Sequence, residues 1–280
     1  MALVAYDGSG FRGFAAQDQP GVETAGGRLE AALSKMFGRS AGTPVSTPVG
    51  LVCAGRTDAG VHAAGQVVHF DVPAEGLARW MGGAGEGPGE LVRLARSLST
   101  QCGPEIVVKR ALLAPEGFDA RHSAVARRYR YEILRTPSPD PLLRHTTWHV
   151  PGELELAALR IGADALLGEH DFAAFCRRPP GHHGPIVRRV TDVRWERGGC
   201  GERLSFEIEA NAFCHQMVRS IVGLLVAAGR GKITGADVHA LLRRSGGGRA
   251  QLASPAPPGG LCLMLVRYPE ELVPGGVLTG

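Results

Sequence analysis

The stretch Gly55-Arg56-Thr57-Asp58-Ala59-Gly60-Val61-His62-Ala63 constrains this chain more than any other. It lies between two valine-rich runs, 49–54 and 65–72, and glycines punctuate the link. That pattern predicts two strands joined by a tight turn. Gly55 and Gly60 give the turn access to positive φ without Cβ crowding. Arg56 and Asp58 are two residues apart, so in extended backbone their side chains point to one side. A guanidinium beside the carboxylate keeps it ionised and fixes its direction. An ionised, aimed carboxylate at a strand end suits a nucleophile or a general base. An aspartate in a Gly-flanked turn ordinarily caps its own backbone, and local spacing alone leaves both readings open.

Around this hairpin the chain alternates strands and helices. Leu3 to Tyr6 predicts a strand ending in the turn Asp7-Gly8-Ser9-Gly10, and Thr24 to Phe37 a helix with Leu29, Leu33 and Met36 on one stripe. Leu77 to Arg96 reads as helix interrupted by the glycines of 82–89, and Glu105 to Leu113 as a strand. The order β, α, β, β, α, β suits a ferredoxin-like half. In Ala126 to Leu134, alternation puts Arg127, Tyr129, Tyr131 and Ile133 on one face and Arg128, Arg130 and Glu132 on the other.

From there the pattern repeats. Leu154 to Leu167 predicts a helix with Leu156, Leu159, Ala163, Leu166 and Leu167 inward and Gly168 as its C-terminal cap. Strands follow at 187–197 and 204–210. Asn211 to Gly229 predicts a long helix, with Phe213, Met217, Ile221, Leu224 and Ala228 as a buried stripe and His215, Arg219 and Val222 on another face. Val238 to Arg243 is a short helix before a last strand near Tyr268. The expected halves are 1–124, carrying the Asp58 hairpin, and 125–280, carrying the Asn211 helix. In the second half, His170 and Asp171 lack further ligands at metal spacing, so a loop-fixing role is expected of them.

Charge adds a second constraint. The formal net charge is only +4, but 28 of the 31 basic residues are arginine, the exceptions being Lys35, Lys109 and Lys232. One cluster holds Arg121, Arg127, Arg128, Arg130 and Arg135, and another Arg177, Arg178, Arg188, Arg189, Arg194 and Arg197 around His182 and His183. Arginine suits bidentate phosphate contacts and base stacking, and two such clusters in a near-neutral chain point to an anionic ligand surface. A solvated face or an arginine-rich genome explains the same counts. Glycine runs such as Gly82-Gly83 and 246–248 read as surface loops. Six scattered cysteines without a C-x-x-C pair predict reduced, mostly buried thiols. No apolar run approaches membrane-spanning length, and Met1 to Tyr6 is too short and uncharged for a signal peptide, so a soluble cytoplasmic protein is expected.

The run 54–63 followed by Gly65-Gln-Val-Val-His-Phe70 resembles the signature of the TruA family of tRNA pseudouridine synthases. Further segments share the resemblance: Tyr6 to Phe14, Phe118-Asp-Ala-Arg121 through Leu134, Glu169 to Phe175, Asn211 to Arg219, and Pro255 to Tyr268. Phe14, Ala15, Ala25-Gly26, Ser97 to Cys102 and Gln216 depart from the family pattern. The resemblance implies an α+β fold of two ferredoxin-like halves, their sheets joined into one antiparallel sheet, with helices on one face and a central catalytic cleft. It implies isomerisation of uridine to pseudouridine at positions 38, 39 and 40 of the tRNA anticodon stem-loop, by a homodimer that needs no metal or organic cofactor.

By the same resemblance Asp58 is the catalytic residue, attacking C1′ or acting as base at C2′. Tyr129 holds the flipped uracil, and Arg219 pairs with the carboxylate, which Arg56 also steadies. Arg121, Arg127, Arg128, Arg130 and His215 serve the RNA. Two rival readings are a catalytically weak tRNA-binding or chaperone-like relative, which has no need of Asp58, Tyr129 and Arg219 together, and a metal-dependent nuclease, for which clustered carboxylates are lacking.

Overall fold

The computed structural model describes all residues except 18, 38–48, 82–88, 179–180, 182–183, 199–200, 244–252 and 280. The glycine runs at 82–83 and 246–248 and the pair His182-His183 fall outside the described residues. The fold is mixed α+β, with mostly antiparallel sheet, and the chain divides into two compact units. Residues 1–125 and 263–280 form the first, and 126–262 the second. The last residues thus belong with the first unit, whereas the sequence reading runs the second half to 280.

In the first unit β1 (Ala2–Tyr6), α1 (Ala25–Phe37), β2 (Leu51–Cys53), β3 (His62–Phe70), α2 (Ala74–Ala78), α3 (Val92–Cys102) and β4 (Ile106–Ala111) follow in order. β1 is the middle strand of an antiparallel set, pairing Leu3 with Val67 of β3 and Ala5 with Val107 of β4. β2 pairs with the end of β3, Cys53 opposite Val68. The first helix begins where expected, but its inner stripe is Leu29, Leu33 and Phe37, with Met36 only half-buried. Phe37 takes that place because it follows Leu33 by four residues, which keeps both rows on one face.

The second unit holds β5 (Ala126–Leu134), β6 (Trp148–His149), α4 (Leu156–Asp164), β7 (Gly168–Asp171), β8 (Val187–Gly198), β9 (Arg203–Ala210), α5 (Met217–Gly229) and α6 (Gly235–Leu242). A last strand, β10 (Leu261–Arg267), has its residues from Leu263 onward in the first unit. β5, β9, β8 and β7 lie side by side and antiparallel, while β6 joins β5 in parallel. That short pair contrasts with the antiparallel pairs β5–β9, β9–β8 and β8–β7. The inner faces of β5 and β9 set Tyr131 against Phe206 and Ile133 against Leu204 in register, and all four are fully buried.

Two predicted helices are shorter than expected. α4 ends at Asp164, and Leu167 is exposed. Gly168, with φ +100, turns the chain into β7 instead of capping the helix. α5 starts at Met217, six residues after the expected Asn211. Gln216 there takes a left-handed φ of 64, and the Asn211 side chain accepts from Arg189 N (3.0 Å) and Ala212 N (2.9 Å). An Asx side chain that bonds nearby backbone competes with helix formation, so 211–216 folds as a loop. Phe213 and His215 therefore share no helix face with Met217 or Arg219. Every residue of α5 except Arg219 is buried. Gly229 and Gly162 make that possible, since a Cβ on either would stand within 3 Å of Leu159 or Leu225 across the α4–α5 packing.

Candidate active site

In the first unit the path from β2 to β3 runs through residues 54–61. Val61 N donates to Asp58 O (3.1 Å), and Gly60 takes a φ of +78, so the backbone reverses just after the aspartate. Burial alternates along it: Arg56 is exposed, Thr57 buried, Asp58 half-buried and Ala59 exposed. Gln66 of β3, itself fully buried, donates from Nε2 to Gly55 O at 2.7 Å and pins the start of the turn.

The segment following β1 grips the same turn. Phe14 N donates to Thr57 O (3.2 Å), Gly60 N to Phe11 O (3.2 Å), and Gly8 N to Nδ1 of His62 (3.0 Å). The approach is close enough that a Cβ on Gly8 would stand 2.0 Å from Val61 O. Phe14 and Gly26, both departures from the family pattern, meet each other here. Gly26 N donates to Phe14 O at 2.8 Å, and a Cβ on Gly26 would lie 2.4 Å from that oxygen. Arg121 is exposed in the turn closed by Asp119, whose Oδ1 accepts from Arg121 N and His122 N. Burial pushes the Cys53 thiol at the end of β2 up, and the positive charges of Arg56 and Arg121 pull against it.

In the second unit a distinct set converges. Tyr129 is buried edge-on against Phe213, ring centroids 5.2 Å apart. On the same face of β5, Tyr131 donates its hydroxyl to Pro257 O at 2.8 Å, and burial pushes that hydroxyl up, with only partial opposition from the Arg219 charge. Gly260 is needed there, since a Cβ would stand 2.6 Å from the Tyr131 ring. Arg219 is bound in both directions to the adjoining segment: Nε donates to Ala256 O (2.8 Å), and Ala256 N donates to Arg219 O (2.9 Å). Gly223, one turn along α5, admits that segment, because a Cβ would lie 2.1 Å from Ser254 O.

The loop 211–216 gathers cations. Arg127, buried, donates from Nη1 to Asn211 O (2.8 Å), and Arg177 N donates to His215 O (3.0 Å). Arg177, Arg189 and His215 are exposed around it. Cys176 and Cys214 form a disulfide at this point, Cα atoms 5.8 Å apart, which corrects the expectation that all six thiols are reduced. They stand 38 residues apart, and only the folding of the 173–177 turn against this loop brings them together. Asp171 fixes the neighbouring turn as expected, accepting from Ala173 N (2.9 Å) and Ile186 N (2.8 Å).

Arg128 and Arg130 have a different setting. They face acids of β9 and β8: Arg128 Nε to Glu209 (2.9 Å) and Nη2 to Asp192 (3.2 Å), Arg130 Nη2 to Glu207 (2.5 Å). Sequence reading missed these acids, and it missed two contacts to the Asp58 turn, the Gln66 bond and the pairing of the Tyr6 hydroxyl with Thr57 Oγ1 at 2.7 Å. Period-two alternation pointed to the outward row but not to its partners across strands. Among the described residues no group of three His, Cys, Asp or Glu side chains is placed to hold a metal ion, and no helix is long and apolar enough to cross a membrane.

Against known proteins, a family model described as tRNA pseudouridine synthase matches residues 2–111 and 163–269, which include Asp58, Tyr6, Gln66 and Arg219. The chain is 41% identical to tRNA pseudouridine synthase A of Leifsonia xyli subsp. xyli over 96% of its length and 91% of that protein's. It is 42% identical to the protein of the same name from Methylococcus capsulatus, over 96% and 89%, and 39% to that of Methylobacterium nodulans, over 96% and 95%. With the motif on a clamped turn and the match running nearly end to end, the chain belongs to the tRNA pseudouridine synthase family.

Proposed function

We propose that this chain isomerises uridine to pseudouridine in tRNA, with Asp58 acting on the flipped nucleotide, and that its targets lie at positions 38, 39 and 40 of the anticodon stem-loop. One observation carries the reading: a half-buried aspartate held between a buried Thr57 and an exposed Ala59, on a turn clamped from both sides. The reaction breaks the N1–C1′ bond, turns the base, forms C5–C1′, and exchanges a proton on C5 for one on N1. Reaching C1′ requires the nucleotide to leave the stack at a cost of a few kcal/mol. A fixed carboxylate serves either as nucleophile at C1′ or as base at C2′.

Tyr129, Arg56 and Arg219 are assigned to the substrate. Arg219 sits in the first turn of α5, where a cation opposes the helix dipole by roughly 0.3–1 kcal/mol. Helix stability therefore does not account for it. Arg121, Arg127 and His215 are assigned to the RNA backbone, together with Arg177 and Arg189 beside His215. The order β4-β1-β3-β2 in the first unit and β5-β9-β8 in the second supports the reading of two ferredoxin-like halves. A cytoplasmic homodimer is proposed on the family resemblance alone.

The test is Asp58→Asn, with pseudouridine measured in tRNA and binding measured in parallel. The variant should form no pseudouridine while its tRNA affinity stays within about threefold of the parent, since the lost group acts after flipping. Turnover at a tenth of the parent rate would overturn the assignment.

A further inference from the structure

We infer that Tyr6 is a positioning residue for the isomerisation, acting through the Thr57 hydroxyl on the direction of the Asp58 carboxylate. This rests on the reading of Asp58 as the reacting group. The Tyr6 hydroxyl and Thr57 Oγ1 are 2.7 Å apart, and both residues are buried, at 5% and 7% exposure. Thr57 immediately precedes Asp58, and its side chain is the one polar group of the turn that points inward next to the aspartate. Thr57 is β-branched, so fixing its hydroxyl also fixes χ1. Its carbonyl is held separately by Phe14 N at 3.2 Å, so the residue before Asp58 is tied down through both side chain and backbone.

Other anchors reach the backbone of the turn. Thr57 O and Gly60 N are bonded to the backbone groups Phe14 N and Phe11 O, and Gly55 O accepts from the Gln66 side chain. These bonds set the path of the chain. The Tyr6–Thr57 pair sets the side-chain row of the turn. Tyr6 can do so because it is itself immobilised: it is the last residue of β1, paired with Ala63 of β3 and Ile106 of β4, and its ring packs on Phe14 at 5.8 Å between centroids. The hydroxyl is thus delivered from a rigid strand to a loop, the arrangement that holds a reacting group to within a fraction of an ångström.

A misdirected carboxylate costs rate far more than affinity, because small misplacements of a reacting group lower the population of reactive geometries. Tyr6→Phe removes only the hydroxyl. It should lower kcat for pseudouridine formation by about tenfold, with KM for tRNA unchanged within twofold and the unfolding midpoint little moved. Thr57→Val should reproduce the loss, Thr57→Ser should retain most of the parent kcat, and Tyr6→Phe/Thr57→Val should be no slower than either single variant, since both remove one interaction. Single-turnover and steady-state rates on one tRNA substrate, with urea melts of each variant and Asp58→Asn measured alongside, give the values required. Full kcat in Tyr6→Phe beside an inactive Asp58→Asn overturns the inference alone. Losses that multiply in the double variant, or that fall on KM, overturn it too. An active Asp58→Asn overturns the underlying reading and this inference with it.

Discussion

Glu207 meets three arginines, Arg128, Arg130 and Arg194, and replacing it by glutamine tests how the outer row of the second unit is held. The residue is 2% exposed in the centre of β9, opposite Arg130 of β5 and Arg194 of β8 in register. Arg130 reaches Oε1 at 2.5 Å, Arg194 Nε reaches Oε2 at 2.9 Å, and Arg128 Nη1 stands 3.6 Å away. Glutamine keeps the shape and removes the charge, leaving three guanidiniums around a neutral amide. Breaking a buried ion pair from one side costs about 3–5 kcal/mol. Here the side chains of Arg130 and Arg194 are 39% and 44% exposed and regain water, so the expected loss is nearer 2–3 kcal/mol. For a unit of this size that is a fall of roughly 8 °C in the unfolding midpoint.

The pH dependence of this loss carries a sign. Burial pushes the Glu207 carboxyl up, but the hydrogen bonds and charges of Arg194 and Arg130 outweigh it and hold the group below the ordinary carboxylate value. The unfolded chain therefore takes up the proton first on acidification. The stabilisation is complete above the ordinary glutamate pKa of about 4.3 and disappears as pH falls through the lower folded value. Urea melts of parent and Glu207→Gln at pH 7, 5, 4 and 3 should show a gap that is widest at pH 7 and closes on the acid side. A gap that stays constant with pH, or lies below about 0.5 kcal/mol at pH 7, would refute the reasoning.

Two further outcomes separate RNA contacts from framework. Neutralising Arg177 and Arg189 together, as Arg177→Gln/Arg189→Gln, should flatten the log–log salt dependence of tRNA binding by about one unit per lost phosphate contact; Arg128→Gln/Arg130→Gln should lower the unfolding midpoint and leave that slope alone. Equal slopes in both double variants would contradict the division. Gly223→Ala places a Cβ 2.1 Å from Ser254 O, so the 254–256 segment must move and Arg219 loses its bond to Ala256 O. Single-turnover assays should show at least a tenfold drop in pseudouridine formation, and undiminished activity would show that Arg219 does not need that segment.

How much of this was legible beforehand depended on whether the signal was local. Strand alternation in 126–134 gave the faces of β5, because a period of two survives any tertiary context. The valine runs flanking Asp58 gave β2 and β3 within a few residues. The Asn211 helix was misread over its first turn because apolar spacing continues through Phe213, while the Asn211 side chain and the left-handed Gln216 decide against helix. Partners across strands were not legible at all. Nothing near Arg128 in sequence announces Glu209, 81 residues on, and nothing near Tyr6 announces Thr57, 51 residues on. The disulfide between Cys176 and Cys214 was hidden for the same reason.

That blindness bears on where a polyanion meets the second unit. The sequence puts Arg128 and Arg130 in a basic cluster and therefore assigns them to phosphates. In the fold the outward row of β5, β9 and β8 holds Arg128, Arg130 and Arg194 against Glu132, Asp192, Glu196, Glu207 and Glu209. With Arg203 of β9 on the same face, four cations stand against five acids. The row carries no excess of positive charge, and a phosphate arriving there would have to displace carboxylates from their arginines. Breaking such charge-assisted bonds costs about 1.5–3 kcal/mol each before any phosphate contact is made. At the end of the same strands the balance reverses: Arg177, Arg189 and His215 are exposed around the 211–216 loop, with Glu169 the acid paired there, through an exposed Arg189 at 3.1 Å. An exposed pair of that kind is worth little and exchanges readily for phosphate. Charge balance therefore supports the proposed assignment of RNA to the loop end of the second unit, beside the first turn of α5 that carries Arg219, over an assignment to the arginine row that sequence composition made most conspicuous.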